Sequence, residues 1–228
     1  MKKVSICVYD FKDLEKDIQD KLIKEEINNQ VEIYCDSGML YTDMEEKASD
    51  LLKEYFNVEN GLNSVYYDLS YCQGSGAMVD FTINIEDLNK KYHILTDEEL
   101  RFIKDYNILE DINVNHFGNY SHEYSFKINY NDNFGYYDYE DIKEDYNISE
   151  EDFNKIEDKI INLCDTYNIH NTDSQFISDI ISMNKDLTRY GYELLENEDN
   201  FKDGAIMYLE EDKLYLKNGK MFDTIYQD

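Results

Sequence analysis

The chain of 228 residues holds 51 Asp+Glu against 22 Lys+Arg, which gives it a formal net charge of −29. A charge of this size repels DNA, RNA and anionic membranes, so it argues against binding to them and favours a basic partner. Aromatic residues make up 14% of the chain and supply apolar surface for a core, which excludes a wholly disordered protein. The length fits one domain or two small ones.

The N-terminal part of the chain predicts a strand followed by two helices. Residues 3–9 alternate apolar and polar side chains and are rich in β-formers, which indicates a strand. Asp10 or Asp13 can cap a first helix, because apolar side chains recur after them at helical spacing. Thr42 and Glu45 have the spacing of a capping box, so they predict the start of a second helix.

The middle of the chain predicts an antiparallel sheet of about four strands. Residues 72–76 contain two glycines that suit a tight connection between strands, and residues 118–119 suit a second one. Between these hairpins, Thr96 and Glu99 form another capping-box pattern, which predicts a helix. The predicted strands cover residues 65–71, 78–85, 112–117 and 123–131.

The C-terminal part of the chain changes to a helical period. Ser149 and Asp152 predict a capped helix, and residues 173–197 predict a long amphipathic helix after a short break. Two long helices joined by a short break indicate an antiparallel helical hairpin. The tail, at residues 206–208 and 213–216, predicts a small β-element.

These elements predict an α+β protein, in which an antiparallel sheet of about four strands has N-terminal helices and is followed by a C-terminal helical hairpin. The predicted domains are an α+β sheet domain at residues 1–140 and the helical hairpin with its short terminal β-element at residues 141–228. The four cysteines are scattered, and the chain has no secretory or membrane-spanning run. We therefore expect a reduced, cytoplasmic protein.

Residues 72–76, Cys-Gln-Gly-Ser-Gly, are the most distinctive local feature of the sequence. Cys72 could act as a nucleophile at this turn, with His93, His116 or His122 as its base. The spacing has no hydrolase signature, so a structural cysteine at a glycine turn is the simpler interpretation. The turn also lacks the form of a phosphate-binding loop, because it joins two strands and does not open a helix.

Metal binding has weak candidates in the sequence. His116 and His122 with Glu123 could hold a divalent cation, and acidic clusters such as Glu150 and Glu151 suit Mg²⁺ or Ca²⁺. A chain with 51 acidic residues contains such clusters by chance, and it has no calcium-loop pattern. We therefore predict no metal, no other cofactor and no catalytic residue.

The charge is concentrated in residues 132–158, which we call the acidic segment. It holds 11 acidic residues against two lysines and interleaves them with tyrosines. Carboxylates and aromatic rings can imitate phosphates and bases together, and they meet Lys and Arg through ion pairs and cation–π contacts. A solvated loop before a helix is the simpler alternative. The predicted partner-binding residues are Tyr137, Asp138, Tyr139, Glu140, Asp141, Glu144 and Asp145.

Three short stretches resemble a group of small phage and prophage accessory proteins. They are Val-Tyr-Asp-Phe-Lys-Asp-Leu at 8–14, the stretch from Tyr66 to Ala77 around Cys-Gln-Gly, and Tyr-Leu-Lys-Asn-Gly-Lys at 215–220. The middle stretch is the specific one. Ser75 and Asn218 stand where the group has Asp, which puts any role of those acids in doubt here. The resemblance implies an accessory protein of a mobile element, and acidic proteins of that origin include inhibitors of host defence nucleases.

Charge and resemblance together give one leading hypothesis and two alternatives. The leading one is an anti-CRISPR-like inhibitor, not an enzyme, that binds a basic surface of a CRISPR-Cas nuclease or its guide-bound complex in the host bacterial cytoplasm. The first alternative is a Cys/His or metal-dependent hydrolase of phage origin. The second is an acidic structural or regulatory phage protein whose charge serves only solubility.

Overall fold

The apolar side chains of this chain recur with strand spacing in some segments and with helical spacing in others, and the chain accordingly folds into a mixture of strands and helices. The computed structural model describes residues 6–130, 139–146, 148–167, 169, 173–211 and 213–222. Within these residues the chain forms eight α-helices and four strands, and the predicted α+β class is confirmed. The helices are α1 (Lys16–Asp36), α2 (Met39–Phe56), α3 (Ile85–Tyr92), α4 (Asp97–Asp105), α5 (Tyr139–Ile142), α6 (Glu150–Cys164), α7 (Gln175–Glu196) and α8 (Asp199–Glu210). The strands are β1 (Leu62–Asp68), β2 (Gly76–Asn84), β3 (Asp111–His116) and β4 (Phe126–Tyr130).

The chain divides into two compact units. One consists of Met1–Leu40 together with Glu193–Asp228, and the other of Tyr41–Tyr192. The domain boundary predicted after residue 140 falls within the second unit and stays a prediction.

In the first unit, α1 packs against α8 beside a small buried cluster. Tyr215 is buried in this cluster and bridges Tyr9 on one side and Met221 on the other. A strand is predicted at residues 3–9, of which residues 3–5 lie outside the described residues. In the described part, residues 6–9, the only β-pairing is this bridge at Tyr9. The strand predicted at 206–208 is wrong, because these residues belong to α8.

The sheet of the second unit has the order β1-β2-β3-β4 with every pair antiparallel. β2 is central and the most apolar strand, and Ala77, Met78 and Val79 have no exposed surface. The first part of β2 is paired with β1, but its pairing with β3 begins only at Phe81. The N–H groups of this first part that point away from β1 therefore need other partners.

Helix α7 supplies those partners from two polar side chains. Asn184 Oδ1 accepts a hydrogen bond from the Val79 N–H at 3.1 Å, and Thr188 Oγ1 accepts one from the Ala77 N–H at 2.8 Å. The Asn184 side chain is fully buried and also donates to the Glu123 carbonyl at 3.3 Å. The long helix thus completes the hydrogen bonding of the central strand.

Helices α4 and α6 begin where their capping residues predict. Thr96 and Glu99 form a capping box at α4, and the Ser149 side chain accepts from the Asp152 N–H at α6. Glu99 is almost fully buried and forms an ion pair with Lys159 of α6. This pair fixes the position of α6 on α4.

Among the described residues, no helix combines the length and the apolar character that crossing a membrane requires.

Candidate functional site

The described part of the acidic segment runs from α5 into α6. Tyr137 and Asp138 lie outside the described residues, and so does the side chain of Asp141. Tyr139 is half-buried, and its ring packs against that of Phe153 with the ring centroids 5.9 Å apart. The stacking role predicted for Tyr139 stays a prediction, and its ring is only partly exposed to a partner.

Tyr146 anchors the acidic segment to α4. Its ring is buried edge-to-face against Phe102, with centroids 5.6 Å apart, and the Arg101 guanidinium lies 4.7 Å from the ring centroid. The Tyr146 hydroxyl donates to Asp105 Oδ2 at 2.7 Å. Burial and this hydrogen bond raise the pKa of Tyr146. The chain just before Tyr146 is also fixed, because Arg101 Nη2 donates to the Asp145 carbonyl at 3.1 Å.

Three of the predicted partner-binding carboxylates are exposed on this anchored segment. They belong to Glu140, Glu144 and Asp145, and the exposed acids Glu150 and Glu151 follow at the start of α6. From residue 139 to 158 the chain holds nine acidic residues against two lysines, a net charge of −7. Among the described residues of the acidic segment, these carboxylates are offered to solvent, whereas the rings of Tyr139 and Tyr146 pack against other side chains.

Both lysines of the acidic segment already have acidic partners. Lys143 pairs with Glu140 three residues before it, and Lys155 pairs with Glu151 four residues before it. These hydrogen bonds raise the pKa of each lysine. Exposed pairs of this kind contribute little to stability and exchange readily with other charged groups.

The turn around Cys72 is a network of short polar side chains. Cys72 Sγ lies 3.1 Å from Ser70 Oγ, 3.1 Å from Ser75 Oγ and 3.8 Å from Asp68 Oδ2. Hydrogen bonds from Ser70 lower the pKa of Asp68. Gly74 has a φ of +95°, and a Cβ there would lie 2.4 Å from the Tyr120 ring, so the turn needs glycine for both conformation and space.

Two of the three histidines considered as bases for Cys72 have other partners. His116 Nε2 lies 2.9 Å from the Tyr120 carbonyl oxygen, and His122 Nδ1 accepts from the Tyr124 N–H at 3.1 Å. His93 ends α3 in a left-handed conformation. Within the described part of the chain no histidine hydrogen-bonds to Cys72, and no group of three His, Cys, Asp or Glu is arranged to hold a metal.

An exposed aromatic group lies beside this turn, and the sequence patterns considered above do not predict it. The Tyr66 ring of β1 stacks on His116 of β3, with centroids 4.4 Å apart and planes 17° apart. Side chains alternate between the two faces of β1, and this alternation is the pattern that could have predicted the exposed Tyr66. Val65 points into the core, so Tyr66 must face outward. The neighbouring turns carry further exposed rings, those of Tyr71, Phe117 and Tyr120.

No protein-family model matches this chain, and neither a curated protein nor a solved structure matches it. The resemblance to phage and prophage accessory proteins therefore stays a prediction.

Proposed function

We propose that the protein is a phage-type inhibitor of a host defence nuclease, of the anti-CRISPR kind. It binds the basic nucleic-acid-binding surface of a CRISPR-Cas effector, or of its guide-bound complex, in the host bacterial cytoplasm. The proposal is of a binding protein and not of an enzyme. The observation that carries it is the row of exposed carboxylates at Glu140, Glu144 and Asp145, held beside the buried Tyr146.

Carboxylates suit this role because Lys and Arg bind them with the same charge-assisted hydrogen bonds that they make with phosphates. The net charge of −29 adds long-range attraction to a basic channel, which increases the rate of encounter. Anchoring by Tyr146 supports the proposal further, since a segment that is already ordered loses less conformational entropy when it binds.

The class of target comes from the resemblance to phage accessory proteins. Such an inhibitor needs no catalytic residue, so the proposal gives Cys72 no role in its action. The exposed carboxylates are the main contact groups in this proposal, and the half-buried Tyr139 is a secondary one.

The test is inhibition of target-DNA cleavage by a panel of purified, guide-loaded CRISPR nucleases of the single-effector types. We expect the wild-type protein to inhibit at least one of them. A triple charge-reversal variant, Glu140→Lys, Glu144→Lys and Asp145→Lys, should raise the inhibitory concentration by at least about tenfold, because each reversal replaces an attraction with a repulsion.

The matched control reverses three exposed acids of α1, in the variant Asp17→Lys, Glu32→Lys and Asp36→Lys. Both triple variants change the net charge equally, so only a local role of the acidic segment separates them. If the two variants inhibit equally, the acidity acts as general solubility and the proposed contact is wrong. The absence of inhibition across the panel would remove the single-effector CRISPR nucleases as targets.

A further inference from the structure

A groove in the first unit lies between α1 and α8 and has no role in the proposed function. Its volume is about 580 Å³, within the usual range of small-molecule sites. Its walls are mainly apolar and include the side chains of Ile33 and Met39, which are 59% and 50% exposed. Exposed apolar side chains gathered in one concave site indicate a surface that a ligand covers.

A buried carboxylate also lines this groove. Glu26 is only 8% exposed. Its oxygens accept from Asn29 Nδ2 at 3.3 Å and from Gln30 Nε2 at 3.5 Å, and both contacts are long for hydrogen bonds. Within the described ranges, no lysine or arginine forms an ion pair with Glu26. A buried carboxylate held by two weak amide contacts gains free energy from a cation that reaches it.

Three aromatic rings line the same groove. Tyr34 packs edge-to-face on Phe201, with centroids 5.6 Å apart, and Tyr208 belongs to the wall as well. The faces of aromatic rings attract cations, and several rings around one acid form the usual recognition site for organic ammonium groups. The Tyr208 ring also has the ammonium group of Lys213 over it, although Lys213 does not line the groove.

We propose that the groove binds a small organic ammonium ion with a compact apolar body. The ammonium group lies at Glu26, and the apolar body lies against Ile33, Met39 and the aromatic rings. This site is separate from the acidic segment and does not rest on the proposed function. Charge complementarity favours a cationic ligand in this groove, because a neutral apolar ligand would leave the buried Glu26 carboxylate with only its two amide contacts.

The test uses two probes of equal shape, 1-adamantanamine, which is charged at neutral pH, and 1-adamantanol, which is neutral. Each is titrated into isotopically labelled full-length protein, and binding is followed by NMR. We expect both probes to shift the signals of groove residues such as Tyr34 and Phe201. The amine should bind about tenfold more tightly, because a charged donor forms the stronger hydrogen bond with Glu26.

The variant Glu26→Gln should bind both probes with similar affinity, since it keeps the shape of the groove and removes its charge. Glu25→Gln is the matched control, because Glu25 is the exposed neighbour on α1 and its loss should leave the tenfold preference unchanged. The proposal is overturned if wild-type protein binds the two probes equally, or if neither shifts the groove signals at millimolar concentration. The wild-type comparison decides the matter even if Glu26→Gln does not fold.

Discussion

At the scale of single residues, Asp80 has an environment that its position in the sequence does not reveal. It lies on β2, and its Oδ1 accepts from the Asn115 side chain and from the His116 N–H, each at 3.2 Å. Burial raises the pKa of Asp80 above its usual value, although both hydrogen bonds lower it. The folded chain therefore holds the Asp80 proton more strongly than the unfolded chain does.

The raised pKa of Asp80 in the folded chain determines the direction in which its contribution to the free energy of unfolding changes with pH. The contribution is fully present below the unfolded pKa, near 4, and is lost as the pH rises through the folded pKa. We therefore expect Asp80→Asn to be more stable than wild type at pH 7, because the amide keeps the acceptor oxygen without the buried charge. The advantage should disappear below about pH 4. Urea unfolding at both pH values measures it.

The control for this prediction is Asp111→Asn, at an exposed position of β3. Like Asp80→Asn, this variant removes one negative charge from a strongly acidic chain. The comparison therefore corrects for the general repulsion among the acidic side chains. Equal pH dependence of the two variants would show that burial of Asp80 is not the cause.

Some residue-level features could be predicted from the sequence, and others could not. The capping roles of Thr96 and Ser149 are local, because the donor and acceptor lie three residues apart. The burial of Tyr146 is not local, because it depends on Phe102 and Asp105, which lie on a different helix. The sequence alone therefore does not separate the tyrosines of the acidic segment from its carboxylates. Among the described residues, Tyr146 is buried and Tyr139 is half-buried, whereas the carboxylates of Glu140, Glu144 and Asp145 are exposed.

At the scale of elements, the strongest dependence is that of β2 on α7. Asn184 satisfies the Val79 N–H and the Glu123 carbonyl from a fully buried position. We expect Asn184→Leu to lower the free energy of unfolding by about 2–4 kcal/mol, because it leaves the buried Val79 N–H and the partly buried Glu123 carbonyl without this partner. Chemical unfolding followed by circular dichroism measures the loss.

The comparison for that variant is Asn129→Leu on the exposed face of β4, where the amide donates to the Asn115 side chain. It should change the free energy of unfolding by no more than about 0.5 kcal/mol. A small effect of Asn184→Leu would mean that β2 does not need α7 for its hydrogen bonding.

Two helices show where prediction from sequence fails at this scale. Helix α3 was missed because it follows β2 without a break, and Asn84 serves both as the last residue of the strand and as the N-cap of the helix. Helix α8 was missed because Ile206 to Tyr208 are three apolar residues in a row, which is typical of a strand. The deciding pattern is the four-residue spacing of the buried Ala205 and Leu209, which only the packing of α8 makes visible.

At the scale of the whole molecule, the charge of −29 is unevenly distributed along the chain. The first 24 residues carry six lysines against five acids, whereas residues 139–158 carry a net charge of −7. Solubility alone does not require the acidic residues to be concentrated in one segment, whereas a contact with a basic channel does. The central claim is therefore that the acidic segment binds its target by electrostatic attraction.

The most direct measurement of that claim is the affinity of the protein for the effector it inhibits, as a function of salt concentration. Binding through carboxylates should weaken by at least about tenfold between roughly 50 mM and 500 mM salt, because salt screens charges on both surfaces. The triple charge-reversal variant should show a smaller dependence. An affinity that stays constant over this range would contradict electrostatic mimicry.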